Sequence, residues 1–470
     1  MRKYYWYLTG YTKKHGLVIL FSLIAAILVF SFFIPTVIKS FERKKRVYLG
    51  VVNTYNSYEL DSLPPSVAKL ISLGLTKIEA DDSVSPSLAE RWTVENDGRT
   101  YRFVIRQHIR WQDGKQLTPE DLQYQFRNVE VVTTPNDIIF KLPESFVPFP
   151  QVVANPVLRY ASQPYLFFFK KRFPVGVGTY HVVDYKEQQD HLKEIVLDSQ
   201  EERRIYRFYF TEDQAVQAFK RGEVDVLPDL TTKYDIFDWK TVEVTRELVT
   251  NRYLAVFFNH SNPLFQENVR KALSYALPKP TDETRAIGPI NPKSWAYLSS
   301  ARGYDYDEGR ALERIFDNPP AAPLKFTLTT IAAFQTDAES IKAAWEKFGE
   351  VAMQACQTKT DIKDKSICQN LKISINIHVT NFPDTSNFET LLIGEQIPPD
   401  PDQYTLWHSG QTTNFTNYKN TRIDSLLEKG RTTANLNERK AIYQEFQQFF
   451  LEDAPAVFIR YLESYTVRRK

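Results

Sequence analysis

Cysteine is scarce in this chain, two residues in 470, and 16 Gly and 26 Pro are spread without period. Those shortages exclude a disulfide scaffold and a collagen-like rod, and the 43% hydrophobic and 25% charged composition excludes a disordered chain. Signatures of common chemistry are missing too. The seven histidines, at positions 15, 108, 181, 191, 260, 378 and 408, include no pair at H-x-x-x-H spacing. There is no G-x-S-x-G elbow and no phosphate-binding Walker loop, and Gly176-Val-Gly178 lacks the third glycine of a dinucleotide fingerprint. Paired acids do occur, as Asp81-Asp82 and Asp400-Pro401-Asp402. In loops such pairs read as turns or caps before they read as an acid/base couple. His408-Ser409 is no nucleophile pair, because neighbours on a strand or loop point apart.

A large excess of charge is also absent, since the net charge is only +2. It is unevenly placed. Residues 1–46 carry +8 and the remainder −6, a pattern that speaks for a membrane address and against a nucleic-acid partner. Leu17–Ile34 reads LVILFSLIAAILVFSFFI, with Ser22 and Ser31 its only polar members. That approaches the about 20 residues needed to cross a bilayer. Tyr4, Tyr5, Trp6, Tyr7 and Tyr11 suit an interface, and Pro35 ends the run. A signal-peptide core is about 7–15 residues and precedes a small-x-small cleavage site. This run is longer and FIPTVIKSFERKK offers no such site, so the segment reads as an uncleaved anchor. No nearby cysteine supports lipoprotein processing. Basic residues flank both ends, so charge alone leaves orientation open.

Behind the anchor, short strands and helices alternate, as in a mixed α/β protein. Thr100-Tyr-Arg-Phe-Val-Ile-Arg alternates like a half-buried strand, and Asp113-Gly114 reads as a turn. Thr118-Pro-Glu-Asp reads as the capped start of a helix, Glu212–Arg221 as a helix stopped by Gly222. Cys356 and Cys368 bracket a polar stretch between a helix (340–354) and a strand (371–377), and are expected to form a disulfide in an oxidising compartment.

Several segments in order resemble the family 5 extracellular solute-binding proteins, the peptide- and nickel-binding subunits of bacterial ABC importers. They are Ser85-Pro-Ser-Leu-Ala-Glu-Arg-Trp with Ile109-Arg-Trp-Gln-Asp-Gly-Lys-Gln-Leu-Thr-Pro-Glu-Asp-Leu, then Pro174-Val-Gly-Val-Gly-Thr-Tyr and Phe219-Lys-Arg-Gly-Glu-Val-Asp-Val. Tyr253-Leu-Ala-Val-Phe-Phe-Asn with Val269-Arg-Lys-Ala-Leu-Ser-Tyr-Ala follow, then Gly288-Pro-Ile-Asn-Pro-Lys-Ser-Trp-Ala-Tyr. Pro399-Asp-Pro-Asp-Gln-Tyr, Tyr418-Lys-Asn-Thr-Arg-Ile-Asp-Ser-Leu-Leu and Asp453-Ala-Pro-Ala complete the set. Each match alone is weak, but their order along the chain is specific.

The resemblance implies an α/β, two-lobed, class II periplasmic-binding-protein-like fold with a hinge, preceded by one transmembrane helix. The apolar run and its flanks set residues 1–16 as a basic, aromatic N-terminal segment, 17–36 as anchor and 37–46 as linker. Lobe 1 is then expected over 47–252 with a trimmed accessory subdomain at about 85–172, lobe 2 over 253–460, and a shortened return to lobe 1 over 461–470. The globule is expected to be monomeric and extracytoplasmic, to bind a peptide or other small solute without a cofactor or metal, and to deliver it to permease subunits. Tyr55, Trp295, Tyr297, Asp400, Asp402 and Trp407 are the ligand-lining candidates, each with a core or turn reading beside it. Two other functions stay open: a sensory or scaffold protein of the same fold, and a membrane-anchored hydrolase using the acidic pairs. In peptide-binding relatives an acid in a segment similar to ADYPDPD pairs with the ligand's α-amine. Here Ile397 stands at its place and Pro398 at the tyrosine's, so either the ligand has no amine there or Glu395, Asp400 or Asp402 takes the role from a shifted position; the first is expected, because Pro398-Pro399 stiffens the backbone and limits any shift.

Overall fold

The computed structural model describes residues 11, 14–31, 44–52, 59–165, 169–189, 191–360 and 364–470. Residues 14–31 form a helix. Its window Lys14–Ser31 has a mean hydropathy of 2.1 and no residue buried against the rest of the chain.

One ten-stranded sheet organises the globule. Its spatial order is His181–Gln188, His191–Asp198, Glu202–Tyr209, Lys45–Val52, Val226–Leu230, Ala456–Arg469, Val242–Phe258, Thr390–Gln396, Leu324–Thr330 and Ile373–Val379. The two central strands are the longest and run antiparallel from Val242↔Arg469 to Phe257↔Ala456. Their pairing breaks between Val249↔Leu462 and Tyr253↔Tyr461, which leaves three residues of one strand unmatched. On one side of the break the pair borders Val226–Leu230; on the other it borders Thr390–Gln396. Two lobes therefore share one sheet and are joined by two bulged strands, the geometry of a hinge.

Alternation along these strands creates two cores on the second lobe. Leu254, Val256 and Phe258 face the helices Glu267–Ala276, Glu308–Asp317 and Gln335–Thr358. Tyr253, Ala255 and Phe257 face the helices Thr421–Thr432 and Leu436–Glu452. The 335–358 helix buries Ala338, Ile341, Trp345, Phe348, Ala352 and Cys356, one stripe at helical spacing. Cys356 is disulfide-bonded to Cys368, with Cα atoms 5.6 Å apart, which ties that helix to the turn before Ile373–Val379.

The first lobe carries a four-stranded antiparallel sheet in the order Ala89–Glu95, Thr100–Ile105, Asp137–Lys141, Glu130–Thr133. Thr118 opens only one helical turn, Pro119–Asp121, instead of the helix expected there. The capping contacts form, with the Asp121 carboxylate accepting from the Thr118 backbone N–H and from Trp111 Nε1. The chain then extends, so that Tyr124 and Phe126 pack on Phe140. Aromatic packing outweighs the local helix signal. Gly176 is needed for close approach, because a Cβ there would collide with the Ile71 carbonyl. Gln112 locks this corner by donating to the carbonyls of Ile71, Gly178 and Tyr180 at 3.1, 3.0 and 2.7 Å.

Candidate functional site

The lobes touch on the side of the sheet where Tyr253 and Phe257 are buried. Asn291 Nδ2 of the second lobe donates to Asp82 Oδ2 of the first at 2.9 Å, and the Trp295 N–H donates to the Asp81 carbonyl at 3.3 Å. A second contact pairs the Val147 N–H with the Arg431 carbonyl at 2.8 Å, and the Arg431 guanidinium lies 4.8 Å from the Phe146 ring. Burial pushes Asp82 up to about 6 although the Asn291 amide favours its charged form; Asp81 and Asp400 add repulsion and Lys293 opposes them.

Behind these contacts lie the acids of the Pro399–Asp402 segment, and both are engaged. Arg439 reaches the two oxygens of Asp400 at 2.8 and 2.5 Å, a buried bidentate pair. Arg439 stands in the apolar stripe of its helix with Tyr443, Phe446 and Phe450. Its Nε donates to the Gly430 carbonyl at 2.6 Å. Gly430 itself must be bare, because a Cβ there would sit 2.6 Å from the Tyr443 ring. Asp402 accepts from Arg431 Nε at 2.9 Å, yet burial still pushes its pKa up. Arg431 also lies 4.1 Å from the Tyr404 ring.

The other candidates fall in different settings. Tyr55 lies outside the described residues. Trp295 is half-buried, 5.5 Å from the Arg439 guanidinium and 6.3 Å from the Tyr443 ring, and so shares one cluster with Asp400. Tyr297 is half-buried beside Arg285, and burial pushes its hydroxyl up. Trp407 is fully buried between Phe257 and Phe450, with ring centroids at 6.0 and 4.6 Å. His408 and Ser409 turn to separate acids, Glu428 at 3.1 Å and Asp424 at 2.5 Å.

Among the described residues, Tyr253 Oη, Tyr461 Oη, Gln403 Nε2 and Trp407 Nε1 are buried on this face without a hydrogen-bond partner, as is Arg285 Nε beside Tyr461. Near them is an acid that the motif reading left unplaced among alternatives. Glu395 pairs in register with Tyr253, which pairs with Tyr461, so the three side chains form one row across adjacent strands. Burial pushes the Glu395 carboxyl up, and its charge acts on the Tyr253 hydroxyl. A sequence signal exists for it: Leu391, Ile393, Glu395 and Ile397 repeat with period two, and one of the four is charged. Arg439 carries the same kind of signal, a charge at an apolar helical position. Among the described residues no group of three or more His, Cys, Asp or Glu is arranged to hold a metal ion.

Residues 83–394 match the family model described as bacterial extracellular solute-binding proteins, family 5 Middle. Among curated proteins, the chain is 22% identical to the oligopeptide-binding protein AppA of Bacillus subtilis, over 88% of this chain and 85% of that protein. It is 21% identical to heme-binding protein A of Haemophilus influenzae, over 79% and 78%. Among solved structures, NikZ from Campylobacter jejuni in complex with Ni(L-His) superposes with a TM-score of 0.68 at 21% identity, covering 91% of this chain and 94% of that one. AppA from Bacillus subtilis with a nonapeptide gives 0.62 at 17% identity, covering 91% and 95%.

Proposed function

The chain belongs to the bacterial extracellular solute-binding proteins, family 5, and on that premise we propose that it is the membrane-anchored, extracytoplasmic binding subunit of an ABC importer, taking a peptide between its lobes. The observation that carries this is the Asp82–Asn291 contact between two lobes joined by a hinge, on a face of the sheet that also holds buried polar groups without partners among the described residues. An unpaired buried donor or acceptor costs about 1–3 kcal/mol, so a ligand that supplies its partners gains that amount per group. A peptide backbone offers carbonyls and N–H groups at close spacing and suits such a surface. Hinge closure then traps the ligand and presents the closed form to permease subunits. AppA, by its name and its nonapeptide complex, binds oligopeptides, which supports the same class of solute here.

In this account the protein binds and does not turn over. Of the acids of a hydrolytic reading, Asp400 and Asp402 are held by Arg439 and Arg431, while Asp81 accepts from Ser83 and Asp82 from Asn291. The apolar helix at the N-terminus, with no acid or base from Leu17 to Ser31, is assigned as a retained anchor. N-terminal sequencing of membrane-extracted protein tests the anchor, and a mature start beyond Ile34 overturns it. The binding proposal is tested by titrating the full chain in detergent with a defined tetrapeptide pool, following tryptophan fluorescence. Saturable binding without product is expected; hydrolysed peptide, or no binding by any member, overturns it.

A further inference from the structure

We propose that Arg431 is the positioning residue for lobe closure: its carbonyl and its guanidinium together receive the Phe146-Val147 loop of the first lobe and hold the cleft shut. The inference rests on the binding function above, names what keeps the closed form together, and has a readout that needs no ligand.

The second-lobe half of the contact is assembled within its own lobe. The helix Thr421–Thr432 ends in carbonyls that no further turn can pair. The Lys429 carbonyl accepts from the Thr433 N–H at 2.9 Å, and the Gly430 carbonyl accepts from Arg439 Nε at 2.6 Å. The Arg431 carbonyl is next in line, and its partner is the Val147 N–H of the other lobe at 2.8 Å. The side chain is fixed as well. Arg431 Nε donates to Asp402 Oδ2 at 2.9 Å, while the Tyr404 N–H donates to Asp402 Oδ1 at 3.0 Å. The guanidinium then lies 4.1 Å from the centre of the Tyr404 ring.

The first-lobe half is held just as firmly. The Phe146 N–H donates to the Gly98 carbonyl at 3.2 Å, and Tyr101 Oη donates to the Phe146 carbonyl at 3.0 Å. Gly98 has a φ of 82°, a conformation that favours glycine, and a Cβ there would meet Ser145 Oγ at 2.6 Å. With its backbone held, Phe146 presents its ring 4.8 Å from the Arg431 guanidinium. A guanidinium is attracted to an aromatic face, more strongly where water is excluded. At the other lobe contact Asn291 meets Asp82, a carboxylate whose charge burial disfavours. The charge of Arg431 is already balanced by Asp402, so its contact brings no unpaired charge to the lobe interface. Opening the lobes removes a hydrogen bond and a ring from Arg431 together.

Cys356 and Cys368 are joined, so introduced cysteines are the only free thiols. The full chain in detergent carries Thr93→Cys and Lys440→Cys, exposed positions one on each lobe, and the distance between attached spin labels is read without ligand. Wild type is expected to show a short-distance, closed population. Phe146→Leu keeps an apolar side chain without the ring and is expected to lower that population about threefold or more, whereas Phe146→Tyr keeps it. Arg431→Met combined with Asp402→Asn removes the cation without stranding its acid, and is expected to lower the closed population likewise. Should Phe146→Leu melt below wild type, the paired substitution decides by the same distances. No closed population in wild type, equal distributions in all the proteins, or an equal loss in Phe146→Tyr and Phe146→Leu overturns the proposal.

These distances stand whichever way a peptide titration falls, so the two readings fail separately. Where peptides bind, Phe146→Leu is expected to weaken each member of the pool by one common factor. Unequal factors would make Phe146 a ligand contact and overturn the positioning role.

Discussion

The two faces of the second lobe's sheet are built from similar residues and treat their polar groups differently. Under the 335–358 helix, Trp345 Nε1 donates to the Leu273 carbonyl and Tyr304 Oη to the Glu452 carbonyl, both at 2.9 Å. Arg270 meets three carbonyls. Even Lys279, whose pKa burial holds well below the usual lysine range, spreads its ammonium over the carbonyls of Ser274, Leu277 and Tyr304. On the other face Tyr253 Oη, Tyr461 Oη, Gln403 Nε2 and Trp407 Nε1 have no hydrogen-bond partner among the described residues. The first face is finished by folding. On the proposed function the second is completed by the ligand, and it is the face on which Asn291 meets Asp82.

The sharpest way to break this contrast is within the second face itself, between its paired and unpaired acids. Arg439→Ala strands Asp400 in a buried site and is expected to cost about 3–5 kcal/mol in urea denaturation of the full chain in detergent. Glu395→Gln, judged by the same denaturation, is expected to cost nothing. A similar loss in both variants would mean that Glu395 is also a structural acid. On the finished face, replacing Cys356 and Cys368 by alanine is expected to cost about 3 kcal/mol in the chain-entropy model, with ligand affinity unchanged by calorimetry.

A matched pair of smaller substitutions sharpens the comparison. Tyr304→Phe removes a made hydrogen bond and is expected to cost about 1 kcal/mol in the same denaturation. Tyr253→Phe removes a hydroxyl that has no partner and is expected to leave the unliganded protein unchanged or more stable. The effect on ligand affinity should be reversed, with Tyr253→Phe the weaker binder.

The smallest effect concerns pH. In the folded protein burial pushes Asp82 up to about 6, against 3.8 for the free side chain, so the folded form holds more protons between those values. The folded protein is therefore favoured at this residue as pH falls from about 6 towards 4 and loses that contribution as pH rises through 6, although the Asn291 hydrogen bond itself favours the charged carboxylate. Asp81 and Asp400 face the group as anions and Lys293 as a cation. In urea denaturation, the stability of wild type relative to Asp82→Asn should rise on acidification over that range; a constant difference would show that Asp82 carries no such shift.

The sequence carried the fold well because the family segments fall in order on the elements that hold the lobes together. Tyr253–Asn259 lies largely on a hinge strand, Val269–Ala276 on a helix beneath it, and Pro174–Tyr180 on the corner locked by Gln112. The roles of single acids were less legible. Asp400 and Asp402 find their arginines 39 and 29 residues further on, in helices whose docking no local pattern specifies. Trp407 reads as an aromatic lining residue until Phe257 and Phe450 close over it. Glu395 was visible as a charge in a period-two apolar run, but only the cross-strand register puts it beside two unpartnered tyrosines. Thr118 misled because its caps form without a helix to follow.

The most direct test of the account is native mass spectrometry of the full chain released from detergent, wild type beside the Tyr253→Phe, Tyr461→Phe, Glu395→Gln triple variant. The account predicts a co-purified peptide on the wild type and none on the variant, with equal melting temperatures once the wild type has been stripped of its ligand. The same ligand mass retained at the same occupancy by both proteins would contradict it.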